Sequence, residues 1–285
     1  MALFAQLRGH VPEMTGEVVT WTLHDGLSTP FDLDLQVLLA GPDLDLAALL
    51  WTDAVLEVSD AEDPAARAPE LYHGVVEEAE YVDTRDALHL YRFRLRPRLH
   101  GLAYRVRTRI FQDQSPLEVV ARVLREAGFA ETAVAWHAAP LSPRPYITQW
   151  KESELAFVSR LLEDEGLFYW HAHAPEGHTL HIADSPAVHA PIDGDPALPC
   201  AETDALEMGA ECLTRVELHA RSTHEAVVSR DWYEMLPAAP LEGEQALGEG
   251  STRARYEFPG GFVTNAAGGS EEHTSELQSP CNLVC

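Results

Sequence analysis

The sequence predicts an α+β fold in which β structure dominates, and three observations support this class. Alternation of apolar and polar residues recurs through the first half, two amphipathic helices lie near the middle, and short strands resume after residue 202. The chain has 285 residues, of which 46% are hydrophobic and 23% are charged. This length and composition are sufficient for one large or two modest packed domains.

The predicted strands of the first half each have one apolar and one polar face. The segment Phe31–Val37 alternates without a break, and Val55–Val58, Tyr72–Val76 and Leu88–Leu95 continue the pattern. Asp, Pro and Ala are frequent in the predicted loop Asp60–Pro69. Short strands separated by such turns favour a barrel or a sandwich.

Both predicted helices have a capping residue at the start and a glycine at the end. The segment Ser115–Glu118 is a capping box with proline at the first helical position, and Gly128 ends this helix. The second helix begins at the cap Ser153 and ends at Gly166. These signals predict two helices of about three turns each.

The second helix leads into a predicted hairpin. Its apolar stripe contains Phe157 and Leu161, which we predict to be core residues. The hairpin covers Leu167–Ile182, with its turn at Pro175–Gly177.

Beyond the hairpin the pattern weakens. Strands are predicted over Leu213–Ala220 and Ala226–Tyr233. The segments Pro237–Pro240 and Glu242–Gly250 are predicted to form a long flexible loop.

Charge and hydropathy exclude several classes of protein. There are 20 Lys and Arg residues against 46 Asp and Glu, a net charge of −26, which disfavours binding to nucleic acid. No run reaches the roughly 18 apolar residues of a membrane span, and the segment Met1–Arg8 lacks the features of a secretory signal. Arginines at alternate positions are predicted to face solvent on two strands: Arg92, Arg94, Arg96, Arg98, Arg105, Arg107 and Arg109.

The four cysteines form no recognisable framework. Cys200 and Cys212 have no neighbouring cysteine, and Cys281 and Cys285 lie in the last five residues. The sequence therefore gives no indication of disulfides or of an oxidising compartment.

The histidines around the hairpin are the candidate metal ligands. Residues two apart on a strand share a face, so a partner strand could add a third imidazole. Their spacing matches no zinc pattern, and we expect half-exposed surface side chains instead. These residues are His171, His173, His178 and His181. The pair His224-Glu225 lacks the second histidine of a zinc-protease motif, since Val occupies position 228.

Carboxylates around the second helix are the candidate acid/base pair for glycoside cleavage. Their helical spacing favours a solvated face instead. They are Glu152, Glu154, Glu163, Asp164 and Glu165. Nucleophile-elbow, P-loop and dinucleotide motifs are absent from the sequence, so we predict no catalytic residue, no cofactor and no bound metal.

Three further polar residues are predicted to lie at the surface or in local ion pairs: Gln149, Lys151 and Arg160. Lys151 is the only lysine, and its expected partner is Glu154 or Glu152. Arg160 is expected to reach Glu163 or Asp164 on the same helix.

The segment Tyr146–Trp170 (YITQWKESELAFVSRLLEDEGLFYW) closely resembles the signature segment of the VgrG family, the spike proteins of bacterial type VI secretion and relatives of phage tail-hub proteins. Other motifs of that family follow in the same order, over roughly residues 3–262. They are Leu27–Phe31, His73–Val76, Tyr91–Leu99, Arg109–Asp113, His178–Leu180, Ala183–Ser185 and Tyr256–Gly260.

The resemblance implies two barrel-like phage tail-hub domains with inserted amphipathic helices. Residues 1–112 would form the first barrel-like domain, and residues 113–200 the helices, the hairpin and the start of the second domain. Residues 201–269 would supply the remaining strands of an incomplete second domain.

The resemblance also implies a structural role without enzymatic activity. Three copies would form a ring that caps a hexameric tube protein and carries effector or adaptor proteins, with no nucleic acid and no membrane insertion by this segment. The protein would assemble in the bacterial cytoplasm and leave without a signal peptide. A phage-tail or tailocin baseplate hub is one alternative, and a metal- or carboxylate-dependent hydrolase is another.

The sequence departs from the family pattern in three places. Trp51 follows Leu49-Leu50 where the family usually has glycine, which puts that turn in question. The rest of the second barrel, the neck and the spike are expected beyond this segment, which we interpret as an N-terminal fragment of a hub. Residues 270–285 resemble a translated sequencing adaptor, so we exclude them from the fold prediction.

Overall fold

The computed structural model describes residues 3–41, 44–60, 68–85, 88–189, 217, 224–232, 241–246 and 253–258. The chain divides into two compact units. The first consists of Met1–Leu162 and Leu167–Pro191, and the second of Glu163–Gly166 and Ile192–Cys285. Among the described residues, no helix is long and apolar enough to cross a membrane. The domain bounds expected at residues 112, 200 and 269 stay predictions.

Six antiparallel strands of the first unit close into a barrel, which leaves no free edge in this sheet. Around the barrel they follow the order β1 (Leu3–Gly9), β2 (Gly16–Gly26), β3 (Thr29–Leu39), β6 (Leu88–Arg96), β5 (Glu70–Arg85) and β4 (Asp53–Asp60). Short helical turns connect some of them, namely α1 (Leu46–Leu49) and the 3-10 segments Pro12–Met14 and Arg98–Tyr104. The strands predicted in the first half are confirmed, and the β-dominant fold class is confirmed with them.

Apolar and polar residues alternate strictly along β3, so its apolar side chains fill the interior of the barrel. Four of its inward side chains have no exposed surface: Phe31, Leu33, Leu35 and Val37. Each such side chain contributes roughly 1.5–3 kcal/mol by leaving water. The intervening aspartates point to the outer surface, so the pattern in the sequence specifies which face is core.

Ion pairs between strands cover the outside of the barrel. Arg92 and Arg94 on β6 bind Asp34 and Asp32 on β3, while Arg96 Nε lies 3.0 Å from a carboxylate oxygen of Glu77 on β5. The hydrogen bond from Arg94 holds the pKa of Asp32 below its usual range, although burial opposes this shift. The β6 arginines are therefore neutralised by neighbouring carboxylates and do not form a basic strip.

The turn before β4 tolerates tryptophan at a position where the resemblance leads us to expect glycine. Trp51 has φ 63°, in the left-handed region that glycine adopts most easily. Its N–H donates to Val76 O (2.8 Å), and the N–H of Val76 donates to Thr52 O (3.0 Å). The indole ring lies against Gly101 and meets Tyr104 edge-on at 6.0 Å between centroids. This turn therefore forms with tryptophan, which lacks the conformational freedom of glycine but makes an aromatic contact with Tyr104.

The two predicted helices are present as α2 (Pro116–Glu126) and α3 (Glu154–Asp164). The capping box is confirmed, because the Ser115 N–H donates to Glu118 Oε2 (2.7 Å) and the Glu118 N–H donates to Ser115 Oγ (3.3 Å). The N–H of Ala156 donates to Ser153 Oγ (3.1 Å), which caps α3 as predicted.

These helices pack around a second core. Phe157 and Leu161 are 0% and 1% exposed, which confirms them as core residues. Phe157 stacks on Phe111 with 5.8 Å between ring centroids. Phe111 ends β7 (Val106–Phe111), which pairs antiparallel with β9 (Ile147–Ser153) in a two-stranded ribbon.

The predicted hairpin is confirmed as β10 (Phe168–Ala174) and β11 (Gly177–Ala183). Strand β8 (Val134–His137) lies parallel to β11 and completes a three-stranded sheet. Tyr169, Leu180 and Ile182 of the hairpin are buried in the helical core.

The described part of the second unit contains a three-stranded sheet. Strand β12 (Ala226–Asp231) pairs antiparallel with β13 (Leu241–Ala246) and parallel with β14 (Ala254–Glu257). The predicted loop Glu242–Gly250 is therefore wrong over 242–246. The two glutamates of β13 interrupt the apolar and polar alternation by which a strand is recognised in the sequence. In the structure Glu242 forms an ion pair with Arg230 of β12.

Several expectations lie outside the described residues: Leu213–Ala220 apart from residue 217, Pro237–Pro240, the four cysteines, residues 61–67 of the predicted loop Asp60–Pro69, and the terminal segment 270–285. They stay predictions.

Candidate functional site

The arginines of the ribbon β7–β9 are predicted to face solvent, and this holds for Arg107, whereas Arg105 and Arg109 are partly buried. Arg105, which precedes β7, and Arg107 and Arg109 within it all bind Glu154 at the start of α3. Arg107 Nε and Arg109 Nη2 each lie 3.1 Å from Glu154 Oε1. The Glu154 side chain has no exposed surface. A carboxylate at this position is tolerated because three guanidinium groups and their hydrogen bonds compensate its desolvation.

Two further side chains complete this network around the buried Glu154 carboxylate. Gln149 is 0% exposed, accepts a hydrogen bond from Arg109 Nε (3.0 Å) and donates to Glu152 O (3.1 Å). Glu126 at the end of α2 binds Arg109 and Arg122. The network therefore ties β7, β9, α2 and α3 together.

The opposite face of the ribbon carries exposed apolar side chains. Val106 is 63% exposed, Ile110 is 54% exposed and Trp150 is 65% exposed. Ile110 is paired with Thr148, so Trp150, two residues further along β9, lies on the same face. Lys151 has φ 52° at a bulge, and its N–H donates to Thr108 Oγ1 (3.2 Å) on this face. We call this surface, formed by Val106, Thr108, Ile110, Thr148 and Trp150, the ribbon face.

The ribbon face is the candidate functional surface, because apolar residues that point away from a core mark a contact site when they lie together. Sequence reasoning missed it by assigning the arginines of β7 to solvent. The signal was present in the alternation Arg105-Val106-Arg107-Thr108-Arg109-Ile110, which fits either face equally well. Only the position of Glu154 decides which face turns inward.

Several predictions about single residues in this region are wrong. Glu154 and Gln149 are buried, not surface residues. Arg160 binds Glu152 on β9 (Nη2–Oε1 2.6 Å), a partner that the sequence did not predict. Lys151 Nζ lies over the Trp150 ring, 5.2 Å from its centroid.

Histidines form a second cluster, at the contact between the hairpin and the barrel. His171, His173 and His178 surround the ring of Phe31, with centroid distances of 5.4, 5.1 and 5.9 Å. His73 on β5 joins them, since its Nδ1 lies 2.9 Å from His178 Nδ1. The expectation of half-exposed surface side chains is wrong for His171, which is 7% exposed, because the hairpin packs against the barrel here.

The hydrogen bonds of His178 define its protonation state. Its Nε2 accepts the backbone N–H of Arg98 (3.1 Å), so this nitrogen carries no proton. The proton of a neutral ring is then on Nδ1 and is donated to His73 Nδ1. His73 consequently carries its proton on Nε2, which lies 3.6 Å from Asp53 Oδ1.

Burial keeps these rings neutral. It lowers the pKa of His171 and of His178 to about 3 in each case, and neighbouring histidines add to both shifts. Burial also lowers the pKa values of His73 and His173.

The described residues contain no group of three or more histidines, cysteines or carboxylates arranged to hold a metal ion. His181 lies outside the cluster around Phe31 and stacks on His137 at 5.2 Å. An open cleft of about 410 Å³ lies beside His73, lined also by Arg8, Asp53, Glu57 and Glu176. Two of its carboxylates are held in ion pairs, Glu57 by Arg8 within the cleft and Asp53 by Arg98.

Comparison with known proteins supports the resemblance predicted from sequence. The model of the phage tail baseplate hub (GPD) family matches residues 24–278. The chain belongs to this family. The match to this hub family ends at residue 278, within the terminal segment whose adaptor origin stays a prediction.

Relatives of this hub-family chain include spike proteins. The type VI secretion system spike protein VgrG5 of Pseudomonas aeruginosa is 30% identical over 268 residues, which cover 90% of this chain and 32% of the relative. VgrG4b of the same organism is 30% identical over 257 residues, covering 88% of this chain and 31% of the relative. The chain thus spans about a third of the length of these curated relatives, and its resemblance to VgrG proteins is confirmed.

A solved structure shows the same fold at low identity. The tail protein from Neisseria meningitidis MC58 superposes with a TM-score of 0.61 at 14% identity, covering 97% of this chain and 76% of that chain. This likeness confirms the tail-hub type of fold. The second barrel-like domain stays a prediction.

Proposed function

We propose that this chain is a structural hub at the tip of a contractile injection apparatus of the type VI secretion kind. Three copies form a ring that caps the secreted tube and carries effector or adaptor proteins. The family match over residues 24–278, together with the closed barrel and its packed hairpin, is the observation that supports this proposal most strongly.

The ribbon face supplies the contact between copies in this proposal. Among the described residues no third strand pairs with the outer edges of the ribbon. Its exposed Val106, Ile110 and Trp150 gain free energy by leaving water. The net charge of −26 opposes association over an undifferentiated surface, so an apolar contact is the favourable place for two copies to meet. In a closed ring every copy has the same neighbours, and no copy is left with an exposed ribbon face.

A non-enzymatic role is part of the proposal. Two of the candidate carboxylates are held by arginines, Glu154 by three and Glu152 by Arg160. The hairpin histidines are held in hydrogen bonds or buried as neutral rings. Glu154 and Glu152 therefore have structural partners where an acid/base pair would need free carboxylates.

The test uses the chain in its native reading frame, expressed together with a tube protein from the same organism. Light scattering after size-exclusion chromatography should give three copies for the wild type, and the complex should retain tube protein. Ile110→Asp should weaken the trimer while the subunit stays folded, since Ile110 is 54% exposed. The matched control is Val82→Asp on β5 of the barrel, where the side chain is 44% exposed and is not part of the ribbon face.

A trimer that is unchanged by Ile110→Asp would remove the ribbon face from the proposal. A wild-type protein that stays monomeric and never retains tube protein would contradict the hub role itself. Genes for a capsid and a tail beside this one would instead assign the same hub role to a phage or tailocin baseplate. We also propose assembly in the bacterial cytoplasm and export by the apparatus without a signal peptide.

A further inference from the structure

Three backbone N–H groups of the barrel donate hydrogen bonds to the hairpin β10–β11. Ser28 N–H donates to Tyr169 O (2.8 Å), His73 N–H donates to His173 Nδ1 (3.1 Å), and Arg98 N–H donates to His178 Nε2 (3.1 Å). Two of the three acceptors are therefore imidazole nitrogens. An imidazole accepts a hydrogen bond only at a nitrogen that carries no proton.

From this geometry we propose that the hairpin is held on the barrel by an acid-sensitive histidine latch, in which protonation of buried imidazoles releases the hairpin from the barrel wall. His178 is its principal member. A proton on His178 Nε2 would place an N–H against the N–H of Arg98, and its other nitrogen already bonds His73. The ring thus has no site for a second proton while the hairpin is docked.

His171 adds to the latch through burial. Its ring meets Phe31 edge-on at 5.4 Å, and neither nitrogen has a hydrogen-bond partner. Protonation here would leave an unpaired charge inside the contact, which is costly. His173 contributes less, because its Nδ1 also lies 3.2 Å from His73 O, which can accept a bond from a protonated ring.

Other titratable and charged groups around the cluster change how readily its histidines are protonated, without reversing the release of the hairpin by acid. Asp53 favours protonation of His73, and Asp25 favours protonation of His173. Arg98 disfavours protonation of both His73 and His178. His181 on β11 disfavours protonation of His171, and the rings of Tyr72 and Tyr169 pack on His173 and His171.

The pH dependence of the opening constant follows from the protons that the histidines take up when the hairpin leaves the barrel. A histidine with an ordinary pKa near 6.5 in the open state, and a pKa of about 3 when docked, increases the opening constant by about tenfold between pH 7.5 and pH 5.5. His171 and His178 together give about 100-fold.

Residue-resolved hydrogen exchange by NMR on the full chain tests the latch, after correction for the intrinsic pH dependence of exchange. The amides of Ser28, His73 and Arg98 report on it directly, and amides of β3 and β6 report on the barrel. We expect the opening constant of the three latch amides to increase about 100-fold from pH 7.5 to pH 5.5, with a smaller change in the barrel. In His178→Gln, whose Oε1 replaces Nε2 as a non-titrating acceptor, the increase should fall to about tenfold.

The control His10→Gln changes an exposed histidine outside the cluster and should keep the 100-fold increase. The latch is wrong if latch and barrel amides respond equally, or if His178→Gln keeps the full increase. Should His178→Gln fail to fold, the imidazole resonances of the wild type decide the question. The latch requires His178 to stay neutral at pH 5.5 while docked, and a ring that titrates near pH 6.5 with the latch amides still protected overturns it.

Discussion

Replacing Glu154 by glutamine tests whether this buried carboxylate holds the arginines of the ribbon β7–β9 on its inner side. Glu154→Gln keeps the volume of the side chain but removes the charge that three arginines surround. The amide offers one acceptor oxygen where the carboxylate has two, and its NH₂ group faces guanidinium donors. Both hydrogen bonds that the carboxylate accepts, from Arg105 Nε and Arg109 Nη2, lose their charged acceptor, and the three cations then repel one another.

The expected loss of stability is about 3 kcal/mol. Two charge-assisted hydrogen bonds contribute roughly 1.5–3 kcal/mol each, and the lower value applies because the arginine side chains are between 17% and 45% exposed and regain some water. Breaking a buried ion pair by removing one partner costs a similar roughly 3–5 kcal/mol. For a unit of this size, the loss corresponds to a decrease in Tm of about 6–12 °C.

Urea unfolding, followed by tryptophan fluorescence, measures this change. The matched control is Glu152→Gln, which lies two residues earlier, has a 23% exposed side chain and binds the single arginine Arg160. The control should cost about 1 kcal/mol or less. The opposing results are an equal loss of free energy of unfolding in the two variants, or a Glu154→Gln protein as stable as the wild type. Either result would show that the arginines do not depend on Glu154, and it would refute the assignment of the arginine side of the ribbon to the interior.

Three further predictions follow from the packing and the backbone. Burial lowers the pKa of His171 and of His178 to about 3, so below pH 6.5 the unfolded chain takes up protons that the folded chain does not. Their stabilisation is complete above pH 6.5 and should fall by about 3 kcal/mol from pH 7.5 to pH 5.5, as measured by urea midpoints; a flat profile would contradict it. Phe157→Ala should cost about 3–5 kcal/mol in the same assay, since Phe157 has no exposed surface, and a cost below about 1 kcal/mol would show that the helical core repacks. At φ 63°, Trp51→Gly should be about 1 kcal/mol more stable than Trp51→Ala, because both lose the indole but only alanine keeps the left-handed strain; equal stabilities would be the contrary result.

Much of the fold could be predicted because local signals agree with it. The alternation over Phe31–Val37 specifies both a strand and its buried face, and the capping box at Ser115 specifies where α2 begins. Strand β13 was missed because Glu242 and Glu244 remove the apolar signal, while backbone pairing with β12 still forms the strand.

The candidate surfaces depend on contacts between distant residues, which one sequence does not display. Arg107 and Ile110 alternate on β7, and both orientations of that strand satisfy the pattern until Glu154 is placed beneath it. The histidine cluster joins His73 to His178, more than a hundred residues later, so their spacing along the chain carried no information about it. Sequence alone puts the turn at Trp51 in question, because it does not show the aromatic contact of Trp51 with Tyr104.

The central claim is that this hub-family chain works by assembly of its own copies and not by chemistry. Single-particle electron microscopy of the protein, expressed in its native reading frame with a tube protein from the same organism, tests that claim most directly. We predict three subunits around a threefold axis, with Val106, Ile110 and Trp150 buried between neighbours and the ring seated on the tube. A separate subunit with an uncovered ribbon face and a small-molecule substrate held in a cleft would contradict it.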